Sequence, residues 1–552
     1  MEPSVPNTSE VQSSFVATLV DEWIRLGLRE VVICPGSRST PLALGFSRRS
    51  EVRRHVRLDE RGAAFFALGR ALESGWPVAV VVTSGTAAAE LHAAVAEADQ
   101  AEVPLLILTA DRPPELHGVG APQTMPQVAL YGPAVRRHEN PGVARAEASS
   151  SWRPLAARVW RAARGGGPGA PGPVHVNLAF VEPLVVESAA SVPGRAGDAP
   201  WTETAAATRA TSDDARVAGR VLAVVGRGVE AEWIVDARAR GWAVIGDATA
   251  QGTTPYFDAL LRGDDVVNTL RPDVVVRLGG APASKWLGVR LREWDVPVIG
   301  WAGAGTVSDP DGLLAALHPG WPDLTTERAN GDYATQWSRL TLRVDEWVRA
   351  NDGGALVEPI VARAVVDAAS RHRAPLVLGS SMPVRDVEWW ASPRRSPTYS
   401  NRGVNGIDGV VSTFCGVASA GAGLGLVGDL TALHDVGSLV DGLSGSATGV
   451  LVVADNGGGG IFSFLSQAER LDATRFEELF GTPRPVDLVA VAAAFGHGAT
   501  RVRSRTELDA ALDGALAGPG LHVVVADVPS REENVRVHDR WVDAALGAAR
   551  DA

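Results

Sequence analysis

LGLVGDLTALHDVGSLVDGLSGSATGVLVVADNGGGG, residues 424–460, holds the pattern that decides the fold. One apolar run ends in Gly428-Asp429, and a second ends in Asp455-Asn456 ahead of four glycines. Short continuous apolar runs separated by a connecting segment mark parallel strands buried on both faces. Asp429 and Asn456, 27 positions apart, then stand at the C-terminal ends of neighbouring strands, where open parallel sheets bind ligands. A carboxylate, an amide oxygen and a backbone carbonyl suit a hard cation such as Mg²⁺, which shares its octahedron with phosphate oxygens. Glycines 457–460 let the backbone come close to such a ligand.

The same rhythm runs outward in both directions. VVI (31–33), VAVVV (78–82), PLLILTA (104–110) and VHVNLA (174–179) alternate with amphipathic stretches at 10–26, 62–74 and 86–98, which predicts βαβ units. Residues 186–212 are small, polar and proline-containing, and predict an interdomain linker. The alternation restarts with VLAVV (221–225), WAVI (242–245), DVVVRLG (273–279) and PVIGWAG (297–303), and breaks again at NDGG (351–354). PLVLG (375–379) and LHVVVADV (521–528) complete a third unit around the opening stretch. The expectation is an α/β chain of three tandem doubly wound parallel-sheet domains: 1–185, then the linker 186–212, then 213–350 and 351–552. The first and third units share a rhythm and read as related folds.

Composition narrows the ligand. A net charge of −12 argues against nucleic-acid and anionic-membrane partners, which need clustered positive charge. No run approaches the ~20 apolar residues of a membrane span, and the first residues do not resemble a signal peptide. Two cysteines cannot build a disulfide framework, so a cytoplasmic location is expected. Of the 52 basic residues the single lysine is Lys285. Arginine replaces lysine poorly where a compact ammonium is wanted, so Lys285 is a candidate ligand contact.

Two further features carry chemistry on paper. VLAVVGRGVEA places Gly226, Gly228 and Ala231 in a dinucleotide-like spacing with Asp247 after the next strand, although a structural turn is the favoured explanation. VRLDERGAAFFALG sets Glu60 at a junction of strand and helix.

The Asp429/Asn456 pair resembles the metal and diphosphate motif of thiamine-diphosphate enzymes, which are built from a pyrimidine-binding, a middle and a diphosphate-binding domain. Leu430 after the Gly-Asp pair and Asp455 ahead of Asn456 depart from the usual pattern without removing an oxygen ligand. That resemblance implies Mg²⁺ (or Mn²⁺) on Asp429, Asn456 and Gly458. It also makes Glu60 the acid that contacts the aminopyrimidine ring and favours the tautomer able to take the thiazolium C2 proton.

PGSRSTPL (35–42), TSGTA (83–87), TADRPPEL (109–116), GAPQTM (120–125), GGAPASK (279–285), SSMPVRD (380–386), NRGVNGIDG (401–409) and NGGGGIF (456–462) are similar to segments of the 2-succinyl-5-enolpyruvyl-6-hydroxy-3-cyclohexene-1-carboxylate synthase family of menaquinone biosynthesis. The resemblance spans all three domains. It implies a transferase that decarboxylates 2-oxoglutarate on thiamine diphosphate and adds the succinyl-semialdehyde carbanion to isochorismate. Both substrates are dianions, and Arg38, Arg112, Lys285, Arg385 and Arg402 on the matched loops would meet them, arginine's planar fork pairing bidentately with carboxylates. Ser37 would join Arg38 at a carboxylate, and Gln123 would face the substrate beside the cofactor. Ile461 and Phe462 would line the pocket, and Ile407 would hold the cofactor bent. Ser84, Gly85, Ser381, Met382, Gly428, Leu430 and Gly459 are the remaining cofactor contacts implied. Pro122 and Ser380 stand where the family has asparagine. The resemblance further implies a homodimer or dimer of dimers. An acetolactate-synthase-like carboligase, a non-catalytic regulatory protein of the same fold and an NAD-dependent oxidoreductase are the alternatives. The last leaves the Asp429/Asn456 pair unexplained, and Glu60 speaks against the second.

Overall fold

A computed structural model of the chain describes residues 8–165, 169–186, 190–203, 211–212, 217–322, 324 and 331–551. Of the expected linker 186–212, residues 187–189 and 204–210 lie outside the described residues. The chain forms two compact units, one of Met1–Ala206, Asn401–Ala420 and Asp435–Gly442, the other of Ala207–Ser400, Gly421–His434 and Leu443–Ala552.

The first unit is built on six parallel strands: β1 (Glu30–Ile33), β2 (Arg53–Val56), β3 (Val78–Val82), β4 (Leu105–Asp111), β5 (Arg137–Glu139) and β6 (Val174–Ala179). Every residue of β3, β4 and β6 is buried, as the unbroken apolar runs require. The helices Thr8–Leu26 and Trp152–Ala163 cover one face, where Trp23 and Trp160 join Val31, Val81 and Leu106 in one apolar cluster. The helix Glu60–Ser74 is capped by Asp59, whose carboxylate accepts from the Arg61 N–H, and stops at Gly75 in the left-handed conformation. It crosses the helix Val410–Ala418 with almost no space between backbones. A Cβ at Gly69 would stand 2.1 Å from the Thr413 carbonyl oxygen, and one at Gly416 2.2 Å from that of Phe66.

The second unit carries two larger sheets. One consists of β8 (Val221–Val225), β9 (Ala243–Gly246), β10 (Val274–Leu278), β11 (Val298–Trp301) and β12 (Leu314–His318), with β7 (Thr211–Ser212) and β13 (Trp321–Pro322) paired apart from it. The other consists of β14 (Leu376–Leu378), β15 (Thr398–Ser400), β16 (Ala422–Gly428), β17 (Thr448–Asp455), β18 (Gly498–Val502) and β19 (Gly520–Asp527). Tyr333 and Trp337 from the helix Gly331–Ala350 and Trp541 from the helix Arg531–Arg550 join both sheets in one apolar cluster.

All three sheets are wholly parallel, and their strand orders are β2-β1-β3-β4-β6-β5, β12-β11-β10-β8-β9 and β15-β14-β16-β17-β19-β18. The first and third orders are the same once renumbered from their own first strands. Each sheet reverses its winding beside its first strand, between β1 and β3, β8 and β10, and β14 and β16. Such switch points open a crevice at the carboxyl ends of the strands, because the loops on either side leave in opposite directions.

Candidate active site

In the first unit the switch point is open. Loops following β1, β2 and β3 border a cavity of about 630 Å³ lined by Gly36, Ser37, Glu60, Thr83 and Gln123 among others. Gly36 has to be glycine, since a Cβ there would stand 2.4 Å from Thr83 Cβ. Glu60 is half-buried at the first position of its helix, where the dipole favours a carboxylate. Gly85 has φ +82° and Gln123 φ +58°, and the two segments clasp each other: Ser84 Oγ donates to the Gln123 carbonyl at 2.9 Å and Gln123 Nε2 to the Ser84 carbonyl at 3.1 Å.

Arg112 donates to Ser84 Oγ. Burial lowers the pKa of Arg112, and the nearby charge of Arg38 lowers it further, so two guanidiniums share this corner. Arg38 donates to the Phe180 carbonyl at 3.0 Å and pairs with Glu182 at 3.3 Å, while its buried Nε has no acceptor. Arg402 and Ile407, both half-buried, sit on a loop whose Gly403 and Val404 N–H groups donate to the carboxylate of buried Glu97 at 2.6 and 2.7 Å.

The second unit brings the expected cation ligands together at its own switch point. Gly428 of β16 pairs with Ala454 of β17, which sets Asp429 level with Asp455. Asp429 is buried, its Oδ1 accepts from the Leu430 N–H at 2.8 Å, and the Gly458 N–H also reaches its carboxylate. Burial pushes the Asp429 carboxyl up to about 7, with the charge of Asp455 adding to the rise. Asn456 Nδ2 donates to Glu358 at 2.7 Å, which leaves the buried Asn456 Oδ1 without a donor. Gly458, at φ +141°, passes so close to the Gly481 carbonyl that a Cβ would meet its oxygen at 2.2 Å. A buried acid short of positive charge and an orphaned amide oxygen beside it fit a divalent cation with oxygen ligands. Among the described residues no cluster of three or more His, Cys, Asp or Glu side chains offers another metal site.

Further side chains of the expected set lie in this unit. Ser381, at φ +73°, precedes the helix Met382–Trp390, and Arg385 donates to its carbonyl at 2.6 Å. Lys285 is exposed at the start of the helix Lys285–Trp294, capped by Ser284. Glu388 accepts from the Ala283 N–H at 2.9 Å and so ties the loop before Lys285 to the helix that carries Arg385. Gly459 is buried, and the half-buried Ile461 and Phe462 lie in the short helical turn Gly460–Phe464, with Phe462 edge-on to Phe480.

The third switch point is closed. A Cβ at Gly226 would stand 2.2 Å from the Gly280 carbonyl oxygen, so two backbones fill the space a pyrophosphate would need. Asp247 is turned to the loops around it: its Oδ1 accepts from the Thr249 and Ala250 N–H groups and the Thr249 hydroxyl, and its Oδ2 from the Arg227 N–H. The glycine spacing here serves a turn.

Comparison with known proteins agrees with this division. Residues 14–130 match the thiamine pyrophosphate enzyme N-terminal TPP binding domain, and residues 391–526 the corresponding C-terminal TPP binding domain. The chain is 38% identical to the 2-succinyl-5-enolpyruvyl-6-hydroxy-3-cyclohexene-1-carboxylate synthase of Myxococcus xanthus (strain DK1622), over 95% of each chain. It is 38% identical to the synthase of Thermobifida fusca (strain YX), over 98% of this chain and 99% of that one, and 33% identical to that of Bacillus cytotoxicus (strain DSM 22905 / CIP 110041 / 391-98 / NVH 391-98), over 98% of each.

The chain belongs to this synthase family.

For a synthase of this family, the motif loops carry the expected site residues but not the buried acids that hold those loops. Glu97, Glu358 and Glu388 are buried carboxylates whose partners lie 98 to 307 positions away or, for Glu388, on another helix's approach loop. Nothing in their local sequence marks them. Buried acids on helices do, however, need donors, and that expectation could have singled them out.

Proposed function

We propose that the chain decarboxylates 2-oxoglutarate and adds the resulting succinyl-semialdehyde carbanion to isochorismate, giving 2-succinyl-5-enolpyruvyl-6-hydroxy-3-cyclohexene-1-carboxylate and CO₂ in menaquinone biosynthesis. The observation that carries this is the open crevice of about 630 Å³ with Glu60, Ser37 and Gln123 on its wall. Thiamine diphosphate, when bound, supplies the nucleophilic carbon and the electron sink. Glu60 offers a carboxyl that holds a proton against the aminopyrimidine ring, the placement general acid–base chemistry needs. Gln123, its amide nitrogen held on the Ser84 carbonyl, stands on the crevice wall to meet the substrate. Ser37, Arg38 and Arg112 take one carboxylate, and Lys285, Arg385 and Arg402 serve the others, pairing charge with charge. Ile461 and Phe462 exclude water beside them, and Ile407 supports the cofactor.

Asp429, Asn456 and the Gly458 backbone hold Mg²⁺ or Mn²⁺, with Gly428, Leu430, Gly459, Gly85, Ser381 and Met382 along the rest of the cofactor. The orphaned Asn456 oxygen and the buried Asp429 acid support that assignment. Residues 1–185, 213–350 and 351–552 act as pyrimidine-binding, middle and diphosphate-binding domains around the linker 186–212. The working form is a cytoplasmic homodimer or dimer of dimers.

The test follows the ultraviolet absorbance of isochorismate with protein, thiamine diphosphate, Mg²⁺ and 2-oxoglutarate, omitting one component at a time. Loss of consumption on every omission is expected. Turnover of pyruvate in place of 2-oxoglutarate would overturn the donor, and 2-oxoglutarate consumption indifferent to isochorismate would overturn the acceptor.

A further inference from the structure

Behind the Ser84–Gly85 turn lies a hydrogen-bond chain, buried from His175 to Gly85 and exposed at its outer end, that the function above does not use. The Ala129 N–H, a donor only, points at His138 Nε2 at 3.1 Å, so that nitrogen accepts and Nδ1 carries the hydrogen. His138 Nδ1 faces His175 Nδ1 at 3.1 Å, which therefore accepts and leaves the hydrogen on Nε2. His175 Nε2 lies 2.8 Å from Thr109 Oγ1, and Thr109 passes its own hydrogen to Asn177 Oδ1 at 2.9 Å. Burial keeps His175 neutral, with its pKa held at about 3. Asn177 then turns its Nδ2 to Asp111 at 2.8 Å and to Asn140 at 3.2 Å. Gln127 Nε2 donates to that same Asn177 Oδ1 and to the Ala110 carbonyl, both at 3.0 Å. With its nitrogen committed, Gln127 has one free atom, Oε1, and this accepts the Gly85 N–H at 2.8 Å.

Each bond has only one direction that satisfies every member, so the chain has a single state. Its far end is the strained turn that clasps Gln123. Gln127, Thr109 and His175 are fully buried and Asn177 and Asp111 nearly so, which makes any broken member costly. We propose that Gln127 is a positioning residue: through Gly85 it fixes the Ser84–Gly85 turn and thereby the placement of the Gln123 amide in the crevice. The inference rests on the function proposed above, and its test separates the two.

Hydrogen exchange resolved at single residues in the full chain comes first. Gly85 N–H is expected to be strongly protected; free exchange at Gly85 overturns the proposal whatever the activity. Gln127→Leu removes the acceptor and is expected to raise exchange over 83–87 and 120–125, leaving 105–110 and 174–179 at wild-type rates. In that variant kcat falls by about tenfold to a hundredfold, the scale of a misplaced group, while the Kd for thiamine diphosphate stays within about threefold. Gln127→Glu keeps an acceptor for Gly85 and, buried against the Ala110 carbonyl and Asn177 Oδ1, is held protonated with one donor in place of two, so it is expected to recover part of the lost kcat. Unchanged kcat in Gln127→Leu, or a Gln127→Glu no better than Gln127→Leu, overturns the positioning role. Should Gln127→Leu fail to fold, Gln127→Glu and the wild-type protection of Gly85 decide the matter alone. Wild-type protein that protects Gly85 yet leaves isochorismate untouched sinks the proposed function and not the hydrogen-bond chain.

Discussion

The first and middle sheets wind the same way near their switch points, yet one opens a crevice there and the other is shut. After β1 and β3 the loops part around Ser37, Glu60 and Gln123. After β8 and β10 the loops meet backbone to backbone at Gly226 and Gly280, and Asp247 turns one carboxylate oxygen to its own turn and the other to the Arg227 N–H. Topology therefore offers a place for a ligand, and the local residues decide whether the place is kept. A glycine-rich spacing is compatible with either outcome.

The sharpest way to break this contrast is at Glu60. Glu60→Gln is expected to lower turnover by about 10²- to 10⁴-fold with the thermal unfolding temperature unchanged, since it alters proton transfer and no packing. Near-normal turnover would remove Glu60 from the mechanism. Next comes the cation. Asp429→Asn should weaken Mn²⁺ binding, read by electron paramagnetic resonance titration, by about a hundredfold or more. Asp247→Asn in the closed switch point should leave that titration unaltered, and a loss there would mean the middle sheet is not a bystander. A smaller effect is expected from filling the closed crevice: Gly226→Val should cost about 1–3 kcal/mol of stability by denaturant unfolding, with Mn²⁺ affinity preserved in the folded fraction.

A further effect is on pH dependence. Asp429 is raised to about 7 in the folded, cation-free chain, so folding binds its proton more tightly than the unfolded chain does. Its contribution is fully present below the ordinary aspartate pKa of about 4 and is lost as pH rises towards 7. The difference in stability between wild type and Asp429→Asn should follow that window when unfolding is measured without divalent cations. A difference that is flat from pH 4 to 7 would mean that the acid is not buried as described.

The central strands, though not the edge strands β5, β12, β15 and β18, were legible in the sequence because burial on both faces writes itself as unbroken apolar runs, VAVVV and LLILTAD being the plainest. The order of those strands was not, because pairing depends on connections of tens of residues that leave no local mark. Asp429 and Asn456 stood out because each ends or follows an apolar run, and Glu60 because it stands at a strand–helix junction similar to one in the family. Gln127 did not, since its meaning comes from Asn177, 50 positions on, and from Gly85, 42 positions back. Glu97 and Glu358 were hidden for the same reason. The residues expected at the site sit in loops with unusual composition, while those that hold such loops occupy helix and loop positions with no local mark.

The crossing of helices Glu60–Ser74 and Val410–Ala418 has a practical consequence for anyone who builds chimaeras between relatives. Gly69 lies against Thr413, and Gly416 against Phe66, with room for a hydrogen atom and nothing larger. The two segments are more than 300 positions apart, yet they must be inherited from one parent or exchanged together. A crossover point placed anywhere between them would mate a helix with a stranger's partner and tilt the helix that begins at Glu60.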